Sequence, residues 1–153
     1  MEISLSHTIA MGHRIPNHEG GAGKCARLHG HTYRFDVMLK SAVLRDGFVM
    51  DFGVVKNALN EWDHRTILWD QDPIAEDVFG FADGQGDLYK LGFIQVPFIP
   101  TAEAIAIFWA DCLFDELLRF HGLDIGYENE DDLYAVMLDV WESPTSSARY
   151  VRR

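Results

Sequence analysis

Cys25, His29 and His31, with His13 upstream, are the side chains of this sequence best suited to chemistry. A thiol and two alternating imidazoles are nucleophilic, metal-binding groups, and Gly30 between the histidines lets neighbouring backbone pack closely. Residues i and i+2 of a strand point the same way and lie roughly 6.6 Å apart. Two imidazoles so spaced can converge on one ion with metal–nitrogen bonds of about 2.0–2.1 Å. Over 31–40, His31, Tyr33, Phe35, Val37 and Leu39 alternate with Thr32, Arg34, Asp36, Met38 and Lys40, which predicts a strand with one buried face. His29 and His31 fall in phase with its buried row.

Two further strands must position their partners. Ile3, Leu5, His7, Ile9, Met11 and His13 form the apolar row of an N-terminal strand, which His13 closes. Near the C-terminus, Tyr134, Val136, Leu138 and Val140 form another, which ends in the carboxylate of Glu142. If the three share a sheet, their inward rows deliver three histidines and one glutamate to a common edge. Zinc bound by three protein ligands keeps a coordination position open, and open sites are the catalytic kind.

Between the strands lie two helices. Asp51 caps the first, with Phe52, Val55, Leu59 and Trp62 on one face, and an irregular stretch follows Asp63 and His64. Thr101, after Pro100, caps a second helix that runs to about residue 120, with Glu103 at its positive end and Ile105, Phe108, Cys112 and Leu117 inside. Ser143-Pro144-Thr145-Ser146 reads as a turn and 148–152 as a short returning strand. The order is ββααββ in an α+β chain. Segment 70–99, with its glycine-rich run at 80–87, fits this pattern worst; a loop so long usually has a role or its own structure.

Composition narrows the partners. At 153 residues, 48% hydrophobic and 12% aromatic, the chain amounts to one domain, 1–153, with a substantial core. A net charge of −11 argues against nucleic acid or an anionic membrane surface as partner, since both need a basic face. A phosphorylated substrate would need a local exception, for which Arg14, Lys24, Arg27, Arg34 and Arg65 lie near the motif in sequence. Two cysteines, Cys25 and Cys112, make no disulfide framework and suit a reducing cytoplasm. The sequence starts without a basic n-region or continuous apolar run, so neither signal peptide nor transmembrane helix is expected.

Five motifs in order, Ala10-Met11-Gly12-His13-Arg14-Ile15-Pro16, Cys25-x-x-Leu28-His29-Gly30-His31-x-Tyr33, Asp63-His64-Arg65, Pro100-Thr101-Ala102-Glu103 and Trp141-Glu142, resemble the 6-pyruvoyl-tetrahydropterin synthase / 6-carboxy-tetrahydropterin synthase (QueD) family over nearly the whole chain. Ile9 stands where that family commonly has an aromatic residue, and Gly12 where it often has Ala or Ser. The resemblance implies a T-fold (tunnelling fold), a four-stranded antiparallel sheet with helices on one face. It also implies assembly into a homotrimer or homohexamer with active sites at subunit interfaces. The implied substrate is 7,8-dihydroneopterin triphosphate, and the implied cofactor is Zn²⁺ on His13, His29 and His31, chelating the side-chain hydroxyls. In this scheme Glu142 accepts from the pterin edge, while Thr101, Lys24 and Arg27 also belong to the substrate site. Cys25 acts as general base, and His64, oriented by Asp63, transfers a proton on the opposite side.

Two products follow from that start: 6-pyruvoyl-tetrahydropterin by triphosphate elimination, or 6-carboxy-tetrahydropterin by carbon–carbon cleavage, an intermediate toward queuosine and other deazapurines. The gap of four residues from Cys25 to His29, with Lys24 before it and Arg27-Leu28 within, looks like the carboxy branch. A reading of another class is a non-catalytic, zinc-stabilised interaction module, in which Cys25 closes the site as a fourth ligand. A zinc hydrolase is a third, without a His-Glu-x-x-His motif to support it.

Other candidates have plainer readings. His7 is a satisfied core or interface histidine; His18 and His121 face solvent; Cys112 is packing. Glu103 is a helix-terminus residue. Cys25 differs, because Lys24, Arg27 and a nearby cation favour a nucleophilic sulfur. Glu142 continues a buried row, where an unpaired carboxylate is costly and a donor-bearing ligand would satisfy it.

Overall fold

The alternation in the sequence becomes two long antiparallel strands, β1 (Glu2–His13) and β2 (His29–Ser41), in a register running from Glu2 opposite Lys40 to His13 opposite His29. A slip of one residue would turn every histidine to the other face, so burial of the odd row is what fixes this pairing. The computed structural model describes residues 1–16, 23–75, 77, 91–124, 127, 129 and 133–153. His18 and the run at 80–87 lie outside the described residues.

The resemblance implies a four-stranded antiparallel sheet, and the sheet has six strands. β3 (Arg65–Trp69) and β4 (Phe93–Val96) extend it, giving the order β4-β3-β1-β2-β5-β6 with β5 (Tyr134–Ser143) and β6 (Ser146–Arg152) on the other side. β1 pairs with β3, and β3 with β4, in parallel, so the sheet is mixed. These two strands carry no period-2 signal. Ile67 and Leu68, adjacent in β3, are both fully buried, as expected of a parallel strand covered on both faces. The stretch read as irregular after His64 is therefore β3, and part of segment 70–99 is β4.

Helices α1 (Phe52–Asn60) and α2 (Ala102–Phe120) start where their caps place them. The Asp51 carboxylate accepts from the Gly53 N–H at 2.6 Å, and the Thr101 hydroxyl accepts from the Ala104 N–H at 3.3 Å. Both helices pack on the odd-row face, where Ile9, Met11, Phe35, Val37 and Leu138 meet Val55, Leu59, Ile105, Leu113 and Leu117. Trp62 stacks on Phe108 at 5.1 Å between ring centroids. Phe52, read as part of the buried face, is exposed, and Phe108 and Cys112 are half-buried. His121 does not simply face solvent: its Nε2 lies 2.9 Å from the Val49 carbonyl. The other sheet face is polar, with Ser6 donating to Asp36 and Arg149 holding Asp139 through two bonds. Among the described residues no helix is long and apolar enough to cross a membrane.

Candidate metal centre and active site

The β1–β2 register sets His13 directly across from His29, and the pleat brings His31 to the same side. Ring centroids lie 4.5 Å apart for His13 and His29, 5.0 Å for His29 and His31, and 5.4 Å for His13 and His31. Glu142 joins them from β5. Trp141 pairs with Ser147 and Ser143 with Ser146, so the ladder shifts register at Glu142, the kind of irregularity that re-aims a side chain beside a site. Its Oε1 lies 3.2 Å from His13 Nε2 and 3.5 Å from His31 Nε2. One ligand atom from each of the four residues falls within 4.8 Å of the others.

Hydrogen bonds behind the rings decide which nitrogens are free. His13 Nδ1 faces the Pro100 carbonyl at 2.7 Å, and His29 Nδ1 faces the Arg27 carbonyl at 2.7 Å. A carbonyl only accepts, so each Nδ1 carries the proton and each Nε2 presents a lone pair. This is the backing usual for a metal-bound histidine. Burial, partly opposed by the Pro100 bond and reinforced by His29, holds the His13 pKa below the ordinary imidazole value, which favours the neutral ligand form. His31 Nε2 is buried with no hydrogen-bond partner. Lone pairs of two imidazoles and a carboxylate thus converge on one point, an arrangement that repels itself unless a cation sits there. The residues fit a divalent metal.

Tyr33 completes the floor of the site. Its hydroxyl donates to Glu142 Oε1 at 3.1 Å and lies 3.2 Å from His13 Nε2. Burial first, and the Glu142 charge second, push the phenol pKa upward, so it stays a donor. Beside it opens a cavity of ≈ 340 Å³ lined by Ile15, Thr101, Ala102, Glu103, Glu142, Ser146 and Ser147. Thr101 therefore both caps α2 and borders the site, and Glu103, read as a helix-terminus residue, lines the same cavity.

Cys25 lies exposed in a short 3-10 turn (Gly23–Ala26) with Lys24, and Arg27 follows it. The turn is tied to the end of β1 by the Ile15 N–H, which donates to the Cys25 carbonyl at 2.8 Å. Cys25 is not among the four clustered ligands. Asp63 and His64 lie in the turn between α1 and β3. Asp63 Oδ1 accepts from the Ala10 N–H at 2.9 Å, and its Oδ2 lies 3.0 Å from His64 Nδ1. The Ala10 bond, more than His64, lowers the Asp63 pKa. His64 adopts φ 57°, which turns the chain from α1 into β3, and its side chain is 82% exposed. It borders an open depression of ≈ 460 Å³ with Gly12, Gly30, His31 and Thr32, so His64 and the histidine cluster meet at one depression. His7, read as satisfied, has its Nε2 2.7 Å from Asn60 Oδ1.

Sequence reasoning gave no role to Tyr33, although phase with His29 and His31 was the available signal. It had no access to the Pro100 and Arg27 carbonyls, because every residue carries one.

A protein-family model described as 6-pyruvoyl tetrahydropterin synthase matches residues 2–153. The chain is 35% identical over 166 aligned residues to the 6-carboxy-5,6,7,8-tetrahydropterin synthase of Aquifex aeolicus, covering 97% of this chain and 96% of that one. It is 38% identical over 109 residues to a probable 6-carboxy-5,6,7,8-tetrahydropterin synthase of Halobacterium salinarum, covering 71% and 67%. Among solved structures, the fold matches the 6-pyruvoyl tetrahydropterin synthase of Plasmodium falciparum with a TM-score of 0.67 at 21% identity, covering 99% and 97% of the two chains.

Proposed function

The chain belongs to the 6-pyruvoyl tetrahydropterin synthase family, and on that premise we propose that it is a zinc-dependent 6-carboxy-5,6,7,8-tetrahydropterin synthase. The reaction takes 7,8-dihydroneopterin triphosphate and water to 6-carboxy-tetrahydropterin, acetaldehyde and triphosphate, a carbon–carbon lyase step serving queuosine or related deazapurine synthesis. The observation that carries the reading is the convergence of three imidazoles, two of them backed by carbonyls, beside a cavity that holds Glu142 and Thr101. The carboxy branch rests on the Cys25-to-His29 spacing and on the names of the Aquifex and Halobacterium relatives.

His13, His29 and His31 hold the zinc, which when bound supplies a Lewis acid for the side-chain hydroxyls of the substrate. The residues around it do the rest. Glu142 and Thr101 border the cavity that takes the pterin, and the Glu142 carboxylate accepts from its N–H edge. Lys24 and Arg27, exposed on the turn that carries Cys25, attract the triphosphate against the net charge of the chain. Cys25 removes a carbon-bound proton. His64 delivers or removes a proton on the opposite side, with the Asp63 carboxylate fixing its Nδ1–H and leaving Nε2 to the substrate. As the family resemblance implies, Cys25 and His64 meet across a subunit boundary of a homotrimer or homohexamer, placed in the cytoplasm.

Incubation with dihydroneopterin triphosphate and mass spectrometry of the products tests the assignment. Acetaldehyde with the carboxylated pterin is the expected result; 6-pyruvoyl-tetrahydropterin alone would move the protein to the sister reaction, and no turnover would remove the lyase reading.

A further inference from the structure

Glu142 is assigned above to the pterin, yet its two oxygens do not stand in equivalent places. Every polar contact it makes among the described residues is made by Oε1: to His13 Nε2 at 3.2 Å, to His31 Nε2 at 3.5 Å and from the Tyr33 hydroxyl at 3.1 Å. Donors on a tetrahedral ion with bonds of about 2.0–2.2 Å are separated by about 3.3–3.6 Å. The two oxygen–nitrogen separations, 3.2 and 3.5 Å, lie close to that edge.

The protons argue the same way. His13 Nε2 presents a lone pair, since its Nδ1–H is committed to the Pro100 carbonyl, and His31 Nε2 has no hydrogen-bond partner. Tyr33 brings one proton, which goes to the carboxylate.

We propose that Glu142 Oε1 is a fourth ligand to the metal in the substrate-free protein, held in place by the Tyr33 hydroxyl, and that substrate displaces it into the cavity it already lines. The displacement half rests on the pterin reading above; the ligand half does not. Such a site is closed at rest and opens only as the cavity fills. One negative ligand also lowers the net charge of the centre from +2 to +1, which weakens its hold on stray anions.

Zinc affinity, measured by chelator competition on substrate-free protein, tests the ligand role without any turnover. Glu142→Gln is expected to bind zinc about 100-fold more weakly and Tyr33→Phe about 10-fold more weakly, within the range that metal-site partners command. In the cobalt-substituted protein, neopterin should shift the visible absorption bands of the wild type, and the Glu142→Gln spectrum should already differ before any addition. Zinc affinity in Glu142→Gln equal to that of the wild type overturns the proposal. If that variant does not fold, wild-type cobalt protein decides: bands that resist millimolar azide support a closed position, and bands that shift as azide is added overturn it. Correct pterin products with unchanged zinc affinity would sink only the fourth ligand, whereas weakened affinity without pterin turnover would sink only the lyase assignment.

Discussion

Asp72→Ala should unfold this protein more easily than any single change on the polar sheet face, because it strips the partner from a cation beside His13. Asp72 is 3% exposed, and its Oδ2 lies 3.2 Å from Arg14 Nε, an ion pair set off the hydrogen-bond axis. Arg14 directly follows His13 and its side chain is 14% exposed, so the pair pins the end of β1 to the turn after β3. Asp72 Oδ1 also accepts from the Ile74 N–H at 2.9 Å. Unit charges at that separation attract by about 5 kcal/mol at an effective dielectric of 20, most of it offset by desolvation. Removing one partner of a buried pair costs about 3–5 kcal/mol, and the residual exposure of Arg14 places Asp72→Ala near the low end, at about 3 kcal/mol. Asp72→Asn keeps the acceptor for Ile74 and should lose about 2 kcal/mol. The assay is urea unfolding of metal-free protein at fixed concentration, read as a lower midpoint with unchanged slope. In a chain of this size the melting temperature should fall by about 6–12 °C. Replacing both partners, Arg14→Met with Asp72→Leu, should recover most of the loss. An Asp72→Ala variant within about 0.5 kcal/mol of the wild type would show that Arg14 is solvated and would refute the reasoning.

Thr101→Ala removes the cap of α2 and should cost about 1 kcal/mol by urea unfolding, with Thr101→Ser restoring it. Cys25→Ala should abolish turnover while zinc content and melting temperature stay at wild-type values; loss of metal would return Cys25 to a structural role. His13 gives the metal-free protein a pH dependence of known sign. Its folded pKa is depressed, mainly by burial, so its contribution is fully present above the unfolded value of about 6.5 and is lost as pH falls through the folded value. Urea midpoints should therefore drop on acidification below about pH 6.5, and the drop should shrink in His13→Gln; an unchanged slope in that variant would place the effect elsewhere.

The parts of this molecule that were legible in the sequence are those in which one local pattern and the tertiary environment agree. Strands β1, β2 and β5 alternate because one face is buried and the other is polar, and the caps Asp51 and Thr101 mark helix starts within a residue. The histidine cluster followed from strand phase alone. β3 and β4 stayed hidden because Ile67 and Leu68 are buried on both sides, which erases the alternation, and because their parallel pairing is set by distant partners. The Arg14–Asp72 pair was out of reach for a similar reason: the two residues are joined only through that unrecognised part of the sheet. Glu142 was placed correctly at the end of its row, yet the ladder shift that turns it toward the histidines depends on β6 and leaves no mark in composition.

The left-handed backbone at His64 constrains how its role can be probed. A residue with a Cβ pays roughly 1–2 kcal/mol in that conformation, and histidine and asparagine tolerate it better than most. Alanine scanning would therefore mix the loss of an imidazole with a reshaped corner between α1 and β3, and could drag Asp63 and the Ala10 edge with it. Asparagine, which accepts the same backbone angles but cannot shuttle a proton, isolates the chemistry, and glycine isolates the hinge.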